Sequence, residues 1–119
     1  MERALSFKKF RLPSHKIRQL VTGFGACLAT DMIVVCGYSV GFMYRQEPHN
    51  EWDSGWCFLS GLESQTYLDD PENLAVYDVN TIASYDPDII PLLDSPIGSA
   101  FQRDSITRAF VAVSFLPTE

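Results

Sequence analysis

Cys57 and His49 stand eight positions apart, and a thiol within reach of an imidazole is the sharpest catalytic pairing that this chain offers. Thiolate chemistry needs an exposed thiol with a lowered pKa and a base held beside it. Cys57 instead lies between Trp56 and Phe58 in an apolar run, which reads as a small core residue. Asp53 and Glu63 could supply the two carboxyl groups of a glycoside hydrolase. With fifteen acids in the chain such pairs arise by chance, and the sequence does not fix their separation. His15, His49, Cys27, Cys36 and Cys57 show neither C-x-x-C nor H-x-x-x-H spacing, so no metal site is expected. Asp69, Asp70, Glu72, Asp86 and Asp88 lack the twelve-residue calcium loop with its central glycine and read as solvated loops. A glycine-rich phosphate loop and a G-x-S-x-G motif are both missing. The chain is therefore expected to be no enzyme and to carry no cofactor, with a small cysteine- or carboxylate-dependent enzyme as the alternative.

Binding another protein survives these eliminations. Trp52 and Trp56, ringed by Glu47, Glu51 and Asp53, have the make-up of an interface hot spot, an aromatic anchor among charges. Trp56 reads equally as core, with Trp52 alone exposed. Asp69, Asp70, Glu72, Asp86 and Asp88 form a secondary set of candidate contacts. Charge is unevenly spread along the chain. Residues 1–18 hold six basic residues against Glu2 alone, a local +5, whereas residues 19–119 hold Arg45, Arg103 and Arg108 against fourteen acids, −11, giving the net −6. An acidic body repels nucleic acid and draws basic protein surfaces. An adaptor tethered to a membrane or to RNA by the basic arm is a further alternative; neither nucleic acid nor membrane is expected as a partner.

The elements that would hold these residues centre on Gly41 to Glu63. Two apolar runs, Gly41–Arg45 and Trp56–Ser60, flank a polar connection from Glu47 to Ser54 that is long for a hairpin. Before it, residues 1–13 read as a basic arm closed by Pro13, and Ser14 as the N-cap of a short helix over His15–Thr22. Cys27–Cys36 reads as a strand on its β-branched Ile33, Val34 and Val35, with a turn at Gly37-Tyr38-Ser39. Val40–Arg45 and Trp56–Ser60 are the next strands, closed by Gly61. Ser64–Leu68 is strand or helical turn, residues 69–73 are loop, and Leu74–Tyr77 is a strand. Asp78 caps a helical turn over Val79–Ser84, and Asp86 with Pro87 starts a second one, distorted by Pro91. A loop at Ser95–Ser99 and a closing strand at Arg108–Phe115 complete the chain. The pattern predicts a single α+β domain (residues 24–119, behind an arm and helix at 1–23) with a mainly antiparallel sheet and clustered short helices at about 78–94.

Three cysteines without short spacings read as reduced core thiols. The basic stretch before Leu20–Ala29 only loosely resembles a signal peptide, because the apolar part is short and glycine-broken and Phe24-Gly25-Ala26-Cys27 is a poor lipoprotein box. Met32–Met43 is too short to span a bilayer, so a soluble protein is expected. Exposed strand edges are compatible with a homodimer.

The motifs Gly41-Phe42-Met43-Tyr44-Arg45-Gln46-Glu47-Pro48, Asp53-Ser54-Gly55-Trp56 and Ser60-Gly61 resemble a bacterial family of polymorphic-toxin immunity proteins, immunity family thirty-three. The resemblance continues through Tyr77-Asp78-Val79-Asn80-Thr81-Ile82-Ala83, Asp86-Pro87-Asp88-Ile89-Ile90 and Gly98-Ser99-Ala100-Phe101, so it covers about residues 26–103. It implies a non-enzymatic inhibitor that binds a cognate toxin or effector enzyme and blocks substrate access. It extends to effector-regulating members that neutralise glutamine deamidase/transglutaminase effectors acting on ubiquitin. The implied location is the bacterial cytoplasm, or a host cell cytosol after delivery. Tyr44, Arg45, Gly55, Gly61, Asn80 and Gly98 belong to the motifs and are read as structural, with Arg45 expected to pair with Glu47 or Glu63. The chain departs from the family pattern at Gln46 and Leu62, where acids are common, and at Cys57, where a basic residue is common. Those positions bear on the choice of partner.

Overall fold

The computed structural model describes residues 8–114. Six strands form one sheet in the order β4-β1-β3-β2-β5-β6. They are β1 (Ala26–Thr30), β2 (Phe42–Arg45), β3 (Asp53–Leu59), β4 (Leu74–Asp78), β5 (Ala100–Arg103) and β6 (Phe110–Ala112). The helices are α1 (Asp31–Val34), α2 (Gln65–Asp69) and α3 (Val79–Tyr85), with 3-10 turns at Ser14–Lys16, Pro71–Asn73 and Pro87–Leu92. The fold is α+β, and its sheet is antiparallel except where β1 runs parallel to β3.

The expected hairpin is present. Phe42 lies opposite Leu59 and Arg45 opposite Trp56. Its second strand begins at Asp53, three residues before Trp56, which shortens the connection to residues 46–52. Side chains alternate between the two faces of a strand. On one face Cys27, Ala29, Met43, Trp56 and Phe58 join Ile33 and Val34 of α1, Val79, Ile82 and Ala83 of α3, and Ile89 and Leu93 in a single core. On the other face Leu28, Phe42, Tyr44 and Leu59 are half-buried, and Val76 and Val111 are exposed.

Several sequence expectations are corrected here. Cys27–Cys36 is not one strand: β1 ends at Thr30 and Asp31 starts α1. The β-branched run that argued for a strand lets the chain fold back instead, because Ile33 and Val34 are fully buried against the sheet. Gly37, at a φ of 84°, ends that helix by donating its N–H to the Ile33 carbonyl at 3.0 Å. The helix expected over His15–Thr22 is only the 3-10 turn Ser14–Lys16, which Ser14 does not cap. The backbone N–H groups that a helix would need are taken by side chains of α3: Arg18 donates to Ser84, and Leu20 and Val21 donate to Asn80 Oδ1. Residues 8–21, the described part of the arm and the segment after it, thus lie along the domain. Lys8 pairs with Asp31 at 2.8 Å, and the Leu12 N–H donates to the Tyr85 hydroxyl.

The cap chemistry appears where local sequence placed it. The Asp78 carboxylate accepts from the Asn80 N–H at the start of α3, and Asp86 accepts from the Asp88 N–H ahead of Pro87–Leu92. β5 had no counterpart in the sequence reading. The closing strand is confined to Phe110–Ala112 among the described residues, and Phe115 lies outside them.

Candidate partner-binding surface

The connection between β2 and β3 is fixed by its own polar groups. Asp53 Oδ2 accepts from the His49 N–H at 2.8 Å and Oδ1 from the Gly55 N–H at 2.9 Å. The Trp52 N–H donates to Asn50 Oδ1 at 2.8 Å, and the Trp52 carbonyl accepts from the Ala26 N–H at 2.6 Å. Two glycines allow this close packing. A Cβ on Gly25 would collide with the Trp52 carbonyl oxygen, and one on Gly55, at a φ of 86°, with that of Gln46. The Trp52 backbone is therefore held to the start of β1 while its side chain is 70% exposed.

Trp52 helps to line a cavity of about 350 Å³, with Ala26, Leu28, His49, Asp53, Gly55 and Val76 among its other walls. Glu47 and Glu51 are exposed beside it. Ala26 faces Asp53 on β3 and Asp78 on β4, so two carboxylates flank one point of the central strand. Burial by itself raises the Asp53 pKa. The His49 and Gly55 N–H groups and the nearby His49 charge outweigh it, so the group ends below the usual aspartate range and stays ionised.

Other candidate residues are placed differently. Trp56 is 1% exposed, stacks on Phe58 with ring centroids 6.0 Å apart, and donates its indole N–H to the Leu93 carbonyl. Asp86 is buried in an ion pair with Arg103 at 2.7 Å, and Arg103 reaches the exposed Asp88 at 3.0 Å. In this conformation neither Trp56 nor Asp86 offers its side chain to a partner. Asp69, Asp70 and Glu72 are exposed but precede Leu74, which pairs with Thr30 at the end of β1 away from Trp52. Arg45 finds carbonyls in place of the expected carboxylate: its guanidinium donates to the Ser54 and Ser95 oxygens and lies 5.7 Å from the Trp56 ring. Glu63 is engaged by the Thr30 hydroxyl and the N–H groups of Ser60 and Gly61. Asn80 clamps the arm to α3 by accepting from Leu20 and Val21 and donating to the Arg18 carbonyl. Gly61 and Gly98 adopt φ values of 95° and 98°, which favour glycine.

The catalytic alternatives lose their geometry. Cys57 is buried in mid-strand opposite Tyr44, and burial pushes its thiol up to about 11, the reverse of nucleophile activation. Asp53 faces Ala26 while Glu63 bonds Thr30 four residues along β1, about 13 Å of strand away, where glycosidases need roughly 5–9.5 Å. Among the described residues no three His, Cys, Asp or Glu side chains gather as metal ligands, and no helix is long and apolar enough to cross a membrane. What the region can do is present a rigid aromatic and a row of carboxylates.

A model of the immunity-protein Imm33 domain matches residues 27–114. The chain belongs to the Imm33 family. No curated protein and no solved structure gives a significant match. The matched span runs from β1 through β6 and takes in the whole hairpin with its Trp52 loop; the arm residues before Cys27 lie outside it. The sequence named Trp52 and Asp53, which lie on the cavity lining, but pointed to neither Leu28 nor Val76, which share it. A period-two reading of Leu74–Asp78 puts Leu74, Val76 and Asp78 on one face, yet nothing local says that this face borders the tryptophan.

Proposed function

We propose that this Imm33 chain is a non-catalytic inhibitor that seats the loop around Trp52 on its cognate toxin or effector enzyme and blocks access of the substrate. The observation that carries the reading is the state of Trp52: its backbone is bonded on both sides while its ring stands in water. Leaving a large aromatic exposed forgoes about 2–3 kcal/mol of burial. An anchor whose backbone is already ordered loses less conformational entropy on binding than a mobile loop would. Glu47, Glu51 and Asp53 beside it, with Asp69, Asp70, Glu72 and Asp88 farther along the surface, would steer a basic enzyme face toward the loop. Membership of an immunity family supports the inhibitor class. The resemblance to effector-regulating members supports, as the target, a ubiquitin-directed glutamine deamidase/transglutaminase.

The test is inhibition of such an effector's deamidation of ubiquitin by the purified protein. Full inhibition at near-equal stoichiometry is expected for the wild-type chain, with a loss of about thirtyfold or more in affinity for Trp52→Ala. Unimpaired inhibition by that variant would exclude the loop as the contact. Absence of inhibition by the wild-type chain would exclude this target class.

A further inference from the structure

We propose that the cavity that Trp52 helps to line is a socket for an arginine side chain of the cognate enzyme, an assignment that rests on the inhibitor function above. Its lining includes the exposed Trp52, the aliphatic residues Leu28 and Val76, and Gly55, which adds no side chain of its own. The Asp53 carboxylate stands on its lining. These three features match the three parts of arginine. An aliphatic stem lies along apolar walls, a planar guanidinium stacks on an indole, and its N–H fork meets a carboxylate. Each Asp53 oxygen has one backbone N–H and keeps a further acceptor site, so an incoming donor displaces no internal bond. Lysine would satisfy the charge but has no plane to stack. An acidic side chain would meet the Asp53 carboxylate and the −11 of residues 19–119.

Among the described residues, Lys8, Arg11, Arg45 and Arg103 are engaged elsewhere, whereas His49 lies on the cavity lining beside Asp53. Lys8 is paired with Asp31, Arg11 donates to the Cys36 carbonyl, and Arg45 and Arg103 serve internal carbonyls and carboxylates.

The experiment is a titration of the labelled full chain, followed by its amide and indole N–H resonances, with N-acetyl-arginine amide and with its neutral isostere N-acetyl-citrulline amide. Saturable shifts are expected at the Trp52 indole and at the Ala26 and Gly55 amides with the arginine probe. They should be at least tenfold weaker with citrulline and in Asp53→Asn. Val76→Phe, at a position 66% exposed, should fill the cavity and abolish the shifts with Asp53 intact. Equal shifts from both probes, shifts centred elsewhere, or none would overturn the assignment. So would the same resonances moving with protein concentration alone, because a second copy would then fill the site. Inhibition of the enzyme that is undiminished in Asp53→Asn would overturn the socket and leave the inhibitor reading standing. Failure of that reading has a different signature. The wild-type chain would then not inhibit at all, and an arginine-specific shift would point to a different basic occupant, which overturns the assignment to an enzyme.

Discussion

Trp52 and Trp56 are four residues apart, next to the same junction of β1 and β3, and meet opposite fates. Trp56 falls on the inward row of β3, where α3 and the 3-10 turn at Pro87–Leu92 complete its surroundings, and its indole N–H finds the Leu93 carbonyl. Trp52 stands one residue before the strand, and its backbone is pinned by Asn50 and Ala26 while its ring stays in water. The same side chain thus stabilises the fold at one site and, in the function proposed above, would meet a partner at the other. Backbone order and side-chain burial separate here, and that combination is what the proposed contact surface rests on.

The sharpest way to break this comparison is Trp56→Ala. Removing a fully buried indole should cost about 3–5 kcal/mol of stability, read from urea denaturation. A cost below about 1 kcal/mol would mean that Trp56 is not the core residue its burial implies. The acids divide in the same way. Arg103→Ala leaves Asp86 buried without its partner, and the loss should approach the same 3–5 kcal/mol range. Arg103 also donates to the Val40 carbonyl and lies 4.2 Å from the Phe110 ring, so the variant should loosen β5 and β6 together. Wild-type stability in Arg103→Ala would put Asp86 back among the surface acids. Trp52→Ala, by contrast, should change stability by no more than about 0.5 kcal/mol and lower affinity by about 2 kcal/mol. A substantial fall in its melting temperature would erase the distinction between the two tryptophans.

What was legible in the sequence follows the range of the interactions. The hairpin, the Asp78 and Asp86 caps and the α+β class rest on contacts between near neighbours, and those were readable. Cys27–Cys36 was misread because β-branched residues serve a packed helix as well as a strand. There the better signals were Asp31 ahead of the run and Gly37 after it. The Ser14 helix failed for a long-range reason: Asn80 and Ser84, about sixty residues away, take the N–H groups that would have closed it. The cavity needs β4 beside β1 and β1 parallel to β3, pairings that no local pattern announces. The fate of the two tryptophans was open for the same reason.

The smallest expected effect concerns the other end of the hairpin. Glu63, like Asp53, holds backbone N–H groups with its carboxylate, but it also takes the hydroxyl of the buried Thr30. Burial raises its pKa, the Thr30 and Ser60 hydrogen bonds together lower it by more, and the net shift is downward. A carboxyl whose folded pKa is depressed contributes stability that is present above its unfolded value, about 4.3, and is lost as pH falls through the folded one. Because the group is partly solvated, the contribution should be about 1 kcal/mol. Glu63→Gln should therefore lower the melting temperature at pH 7, and the gap to wild type should close as pH falls through the acid range. A gap unchanged at low pH would mean that Glu63 acts by shape and neutral hydrogen bonding alone. A gap that closes, together with unaltered inhibition of the target at pH 7, would place Glu63 with Trp56 among the residues that build the hairpin.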